Sequence, residues 1–204
     1  MKTKKIRGHK RRWKNIERWI LNKREFDLEY LYSRKEDWVK IRIHPWSGLT
    51  VTNSQIPELK GETKNRVING LIDIYDEWKL QLDNIKEPYF LRIELYNPNL
   101  RFSRIVCSIR EKIDWHENIY FKPQVSKIFP SKNYGKLAER LNEFNWEYRV
   151  EENHCSDKDL EDEVDREMKI WMQKMINKHT RVYISDDKTI HYFTQTGDVW
   201  IGKK

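Results

Sequence analysis

The side chains best placed to do chemistry in this chain are cations, and they crowd one end of it. Residues 1–24 hold eleven basic side chains (Lys2, Lys4, Lys5, Arg7, Lys10, Arg11, Arg12, Lys14, Arg18, Lys23 and Arg24) against one acid, Glu17. The other 180 residues hold 29 basic and 31 acidic ones, so the net charge of +8 belongs to this arm. Lysine and arginine at such density neutralise phosphates and release condensed counterions, giving salt-dependent, sequence-indifferent binding. Lys4, Lys5, Arg7, Lys10, Arg11, Arg12, Lys14 and Arg18 are therefore the expected nucleic-acid contacts, with Trp13 as a stacking platform for an unpaired base. Two plainer readings compete. Trp13, Ile16 and Trp19 suit a buried stripe that docks a helix on the body. The arm also has a natural counterpart in residues 147–167, which carry ten acids and three bases.

Metal chemistry has one weak candidate. Asp114, His116 and Glu117 form the densest group of ligand-competent side chains, and on a strand Asp114 and His116 would share a face. Further ligands would have to come from Glu94 or His154. No H-E-x-x-H and no C-x-x-C is present, so turn residues are the expected identity of this group, with no metal and no cofactor. His154-Cys155 is the one adjacent His/Cys pair, but neighbours on an extended chain point to opposite faces. The surrounding acids would also raise the thiol's pKa, so no nucleophile is expected there. Cys107 alternates with Ile105 and Ile109 and reads as a small core residue. Ser47-Gly48 lacks the G-x-S-x-G context of a nucleophile elbow. With no catalytic residue identified, the chain is expected to be non-enzymatic.

The elements that must position these groups follow from periodicity. Residues 10–24 set Trp13, Ile16, Trp19 and Ile20 at helical spacing. Residues 37–43 alternate, with Val39, Ile41 and Ile43 on one face, and Leu49 and Val51 resume the alternation after Pro45, Ser47 and Gly48, predicting a hairpin. Trp38, Lys40, Arg42 and Trp46 on its other face are a candidate partner surface. From Gly61 a long helix is expected through Val67, Leu71, Tyr75, Trp78 and Leu82. A second hairpin pairs Tyr89–Leu95 with Ile105–Ile109 across Asn97-Pro98-Asn99, and Ile119–Phe121 is a further short strand.

Residues 122–133, with Pro123 and Pro130, make the best boundary in the chain. Beyond it come a helix near 133–144, a strand at 146–150 and a helix at 157–178. That last helix carries an N-cap pattern at Ser156 and Asp159 and a buried stripe of Leu160, Val164, Met168, Trp171 and Met175. A β-meander closes the chain: Val182–Ser185, Ile190–Thr194 and Val199–Ile201, with turns at Asp186-Asp187 and Gly197-Asp198. The expected organisation is a basic arm (1–24), a hairpin–helix–hairpin part (25–125) and a smaller helix–strand–helix–meander part (126–204), with one continuous domain over the last two as the alternative.

Hairpins interleaved with helices imply an α+β fold with antiparallel strands. Nine tryptophans, ten tyrosines and seven phenylalanines in 204 residues exclude general disorder. No run approaches the roughly 20 apolar residues of a membrane span, and no apolar stretch follows the basic start as in a signal peptide. Two cysteines define no disulfide framework, which fits a cytoplasmic chain. A single alanine, Ala138, beside 21 isoleucines, 24 lysines and 14 asparagines points to an A/T-rich genome such as a low-GC bacterium, its phage or a mobile element. The leading expectation is a non-enzymatic protein that holds the nucleic-acid backbone through its basic arm. A protein-binding inhibitor, immunity or anti-defence module is the alternative, and a metal-dependent nuclease the third.

Overall fold

A computed structural model describes residues 9–33, 41–43, 59–98, 100–109, 127–161 and 166–204, with backbone alone at 9, 10, 12, 31, 41–43, 101 and 161. The sixteen residues His9–Arg24 form α1, followed by the short α2 (Leu28–Ser33) and β1 (Ile41–Ile43). The longest helix, α3 (Gly61–Leu82), leads into β2 (Tyr89–Asn97) and β3 (Arg104–Ile109). Then come α4 (Ala138–Asn142), β4 (Asn145–Ser156), α5 (Asp157–Glu161), α6 (Arg166–Asn177), β5 (Arg181–Ile184) and β6 (Ile190–Lys203). The fold is α+β, with antiparallel hairpins interleaved with helices and strands at its end.

The strands make one antiparallel sheet in the order β1-β3-β2-β6-β4. β6 is long enough to serve three neighbours. One of its edges pairs with β4 along its length, and the other pairs first with β5 and then with β2. Strands from before and after residues 122–133 thus share a single sheet. The helix α3 lies across one face and buries Val67, Ile68, Leu71, Ile72, Tyr75, Trp78 and Leu82, the stripe its periodicity predicts. These pack with Leu91, Ile93 and Leu95 of β2, Ile105 and Cys107 of β3, and Trp200 of β6. Tryptophans 19, 78 and 200 are buried there, which is core duty rather than platform duty. Among the described residues, no helix is long and apolar enough to cross a membrane.

Several local expectations are corrected. Gly197-Asp198 is no turn, since β6 runs straight through it with a register shift opposite Glu151 and Glu152. A Cβ at Gly197 would stand 2.5 Å from the Asn97 carbonyl oxygen, so glycine serves close backbone approach here. The strand expected at 146–150 extends to Ser156 because β6 continues to offer it partners. Of the helix expected over 157–178, the described residues form α5 and α6, while 162–165 lie outside them. Of its predicted stripe, Met175 is buried, while Met168 and Trp171 are exposed, because α6 meets β6 near its C-terminal end, where Thr194 Oγ1 donates to the Met175 carbonyl at 3.0 Å. The N-cap itself forms as read. Asp159 N donates to Ser156 Oγ at 3.2 Å and Ser156 N donates to Asp159 Oδ2 at 2.6 Å. β1 pairs with β3, through Ile41, Arg42 and Ile43 opposite Cys107, Val106 and Ile105. The return limb at Leu49 and Val51, and Ile119–Phe121, lie outside the described residues.

Candidate nucleic-acid interface

The site begins with how α1 is held. Ile16 and Trp19 are buried against α3. Ile20 seats on Gly70, where a Cβ would lie 2.2 Å from Ile20 Cδ1, so the missing side chain lets the helices approach. Trp13 Nε1 donates to Thr63 Oγ1 at 3.4 Å, and the Arg66 guanidinium sits 4.2 Å from the Trp13 ring centre. Arg66 also pairs with Glu17 and Glu62, each at 3.0 Å. At the far end, Trp78 Nε1 donates to the Lys23 carbonyl at 2.9 Å and Gln81 Nε2 to that of Arg24 at 3.4 Å, satisfying two of the helix's last carbonyls. These contacts run in step along both helices, so α1 and α3 are parallel neighbours.

That docking fixes which face of α1 looks outward. Arg11, Lys14 and Arg18, spaced i, i+3 and i+7, are exposed on it, with Leu21 continuing the stripe. Among the described residues, these three cations make no ion pair. The first turn of α1 contains Lys10, Arg11 and Arg12 and no acid. Positive charge there opposes the helix dipole, so helix stability does not account for it.

The N-terminal end of α3 adds further cations. Lys64 lies with its ammonium 4.4 Å from the Tyr134 ring centre, bringing in the turn Ser131–Leu137 with exposed Lys132 and Lys136. Lys64, Lys132 and Lys136 had no signal in the sequence, lying well beyond the arm in the chain and brought close only by tertiary packing.

Lys4, Lys5 and Arg7 lie outside the described residues, as do Trp38, Lys40 and Trp46. Asp114, His116 and Glu117 do too. Lys10 and Arg12 lie on α1, and Arg42 on β1, without described side chains. Trp13 is turned to α3 and covered by Arg66, so it is not an outward platform. The two remote ligand candidates are not brought together. Glu94 pairs opposite Ile201 and His154 opposite Phe193, roughly 25 Å apart along β6 at the rise of an extended strand. Glu94 is fully buried and held by Arg92 at 2.8 Å and Arg104 at 2.6 Å. Burial of such a carboxylate requires this pairing. Among the described residues, no group of three or more His, Cys, Asp or Glu side chains is placed to hold a metal. His154 and Cys155 do take opposite faces of β4, the first exposed and the second buried. Burial, with Asp159 nearby, pushes the Cys155 thiol up, and burial pushes Cys107 up to about 12.

No protein-family model matches the chain, and comparison with curated proteins and with solved structures finds no match.

Proposed function

We propose that this protein binds the phosphate backbone of nucleic acid through the outward face of α1, without catalysing a reaction. One observation carries the reading: Arg11, Lys14 and Arg18 stand exposed on a helix fixed by its opposite face, and no described acid engages them. Lys64, Lys132 and Lys136 widen the positive surface around the same end of α3. Trp13, engaged with Arg66, supplies no base stacking, so contacts are to the backbone rather than to bases.

The test is fluorescence-polarisation binding to a labelled duplex and a labelled single strand at 50 and 200 mM salt. Each neutralised phosphate contributes about −0.9 to the slope of log affinity against log salt. Three contacts alone therefore lower duplex affinity roughly 40-fold over that window, and additional contacts lower it further. A salt-insensitive affinity, or none at 50 mM salt, overturns the reading.

A protein-binding module is the second reading, favoured by a different surface. Met168, Ile170 and Trp171 of α6 and Val182 and Ile184 of β5 are all exposed apolar side chains. Association through them would survive high salt and weaken on Trp171→Ala, the anchor type that dominates protein interfaces.

A further inference from the structure

Far from α1, the ribbon formed by β4 and β6 carries two histidines facing one another. His154 Nε2 and His191 Nδ1 are 2.9 Å apart. The two positions are diagonal neighbours, His154 lying opposite Phe193 and His191 opposite Ser156. His191 is buried, whereas His154 reaches solvent. Their rings are near-parallel, with centroids 5.1 Å apart, and Phe193 packs 4.9 Å from the His154 ring.

The hydrogen-bond chain behind His191 sets the direction of its protons. Asp187 accepts from Thr189 Oγ1 at 2.8 Å and pairs with Lys158 Nζ at 2.6 Å. Lys158, then Ser185 and Thr189, hold its carboxyl well below the usual carboxylate range, so it is an ionised acceptor. The Ser185 hydroxyl therefore donates to Asp187. Its oxygen is left to accept from His191 Nε2, 3.3 Å away. With the His191 proton on Nε2, Nδ1 presents its lone pair toward His154. A carboxylate, relayed by one hydroxyl, thus orients this imidazole as outer-shell partners orient metal-bound histidines.

Two imidazole nitrogens that share one proton can instead share a cation. Metal–nitrogen bonds of about 2.0–2.1 Å place two ligands 2.9 Å apart when the angle between them is about 90°. That is the cis angle of square-planar and octahedral shells, and widening to about 3.3 Å reaches the tetrahedral one. We propose that His154 and His191 form a two-nitrogen chelate for a divalent transition cation of the nickel, copper or zinc class, clamping β4 to β6. On binding, the His154 proton moves from Nε2 to Nδ1 while His191 keeps its proton toward Ser185, so both rings remain neutral ligands. Water completes the shell, since the described residues supply no third histidine, cysteine or carboxylate ligand. Hard, oxygen-seeking Mg²⁺ is excluded by the same nitrogen donors. The proposal is independent of the nucleic-acid reading.

The experiment is thermal unfolding of the EDTA-treated, then chelator-free, full chain with added Ni²⁺, Cu²⁺, Zn²⁺ or Mg²⁺, beside the His154→Gln variant. His154 is exposed, so His154→Gln folds and carries the comparison, whereas His191→Gln alters a buried position. At cation 100-fold above its Kd, Tm rises by about 5–10 °C for a chain of this size. The rise appears with at least one of the three transition ions, is absent with Mg²⁺, and is lost or needs at least tenfold more cation in His154→Gln. Electron paramagnetic resonance of the Cu²⁺ form gives a second readout, with two coupled nitrogens in the native chain and fewer in the variant. No rise with any of the three ions up to millimolar concentration overturns the proposal. An equal rise in His154→Gln overturns it as well, because binding then lies elsewhere.

Discussion

The two ends of the α1–α3 pair carry charge in opposite ways. At the C-terminal end, cations are engaged by the fold. Arg24 pairs with Asp73 at 3.2 Å, and Arg140 bonds Asn69, Asp73 and Asp76. Lys204 joins Asp76 and Glu143, each at 2.6 Å. At the N-terminal end, Arg11, Lys14 and Arg18 face outward and make no ion pair among the described residues, the nearby Glu17 being taken by Arg66. The same residue types therefore do different work a few helical turns apart. Charge that meets an acid positions helices; charge left without one is available to a ligand.

The largest expected effect breaks the platform beneath both ends. Ile16→Ala removes a fully buried anchor of α1 and should cost about 3 kcal/mol in urea unfolding, with weaker duplex binding as α1 loosens. Intact duplex affinity in that variant would show that a docked α1 is not required. Next, reversing Arg11, Lys14 and Arg18 together to Glu should lower duplex affinity roughly 100-fold at 50 mM salt while leaving the urea midpoint nearly unchanged. A matching fall in stability would mean that these cations serve the fold after all.

The opposite pattern is expected of Arg140→Ala. It should cost about 1 kcal/mol, a modest figure because the pairs are partly solvent-screened, and should leave duplex affinity untouched. The smallest effect belongs to the interior that both ends share. Burial raises the Cys107 thiol to about 12 and pushes the Tyr75 and Tyr134 phenols upward. Each group is an acid that ionises first in the unfolded chain, so stability is full below about pH 8 and falls as pH rises through the unfolded values. The loss from Cys107 should stay under about 1 kcal/mol at pH 9 and grow beyond it, read as urea midpoints across pH 7–10.

Legibility in the sequence followed the kind of interaction that decides each region. The α3 stripe and the β2–β3 hairpin were readable because one buried face imposes a strict period. The outer half of β4 was hidden, since Glu151, Glu152, Asn153 and His154 show no apolar alternation and their strand exists because β6 pairs with them. Gly197-Asp198 resembled a turn, yet glycine was required by the Asn97 carbonyl pressing on the strand. Met168 and Trp171 had the spacing of a buried stripe, but periodicity cannot say how much surface waits opposite a helix. Of the candidate interface, the α1 cations were legible from charge density alone. Lys64, Lys132 and Lys136 were not, because only the packing of Lys64 on Tyr134 brings them to that end.

The place of β6 has a consequence for how the molecule assembles. It is the last strand in sequence, yet it lies between β2 and β4. Until it arrives, the hairpin of β2 and β3 and the strand β4 each present an unpaired edge, the kind that templates pairing between chains. Sheet closure therefore waits on pairings such as Ile93 with Gly202, more than a hundred residues apart, and contacts so distant slow folding. During synthesis the partly made chain has its helices before it has its sheet, which makes the interval before β6 emerges the point of greatest exposure to aggregation.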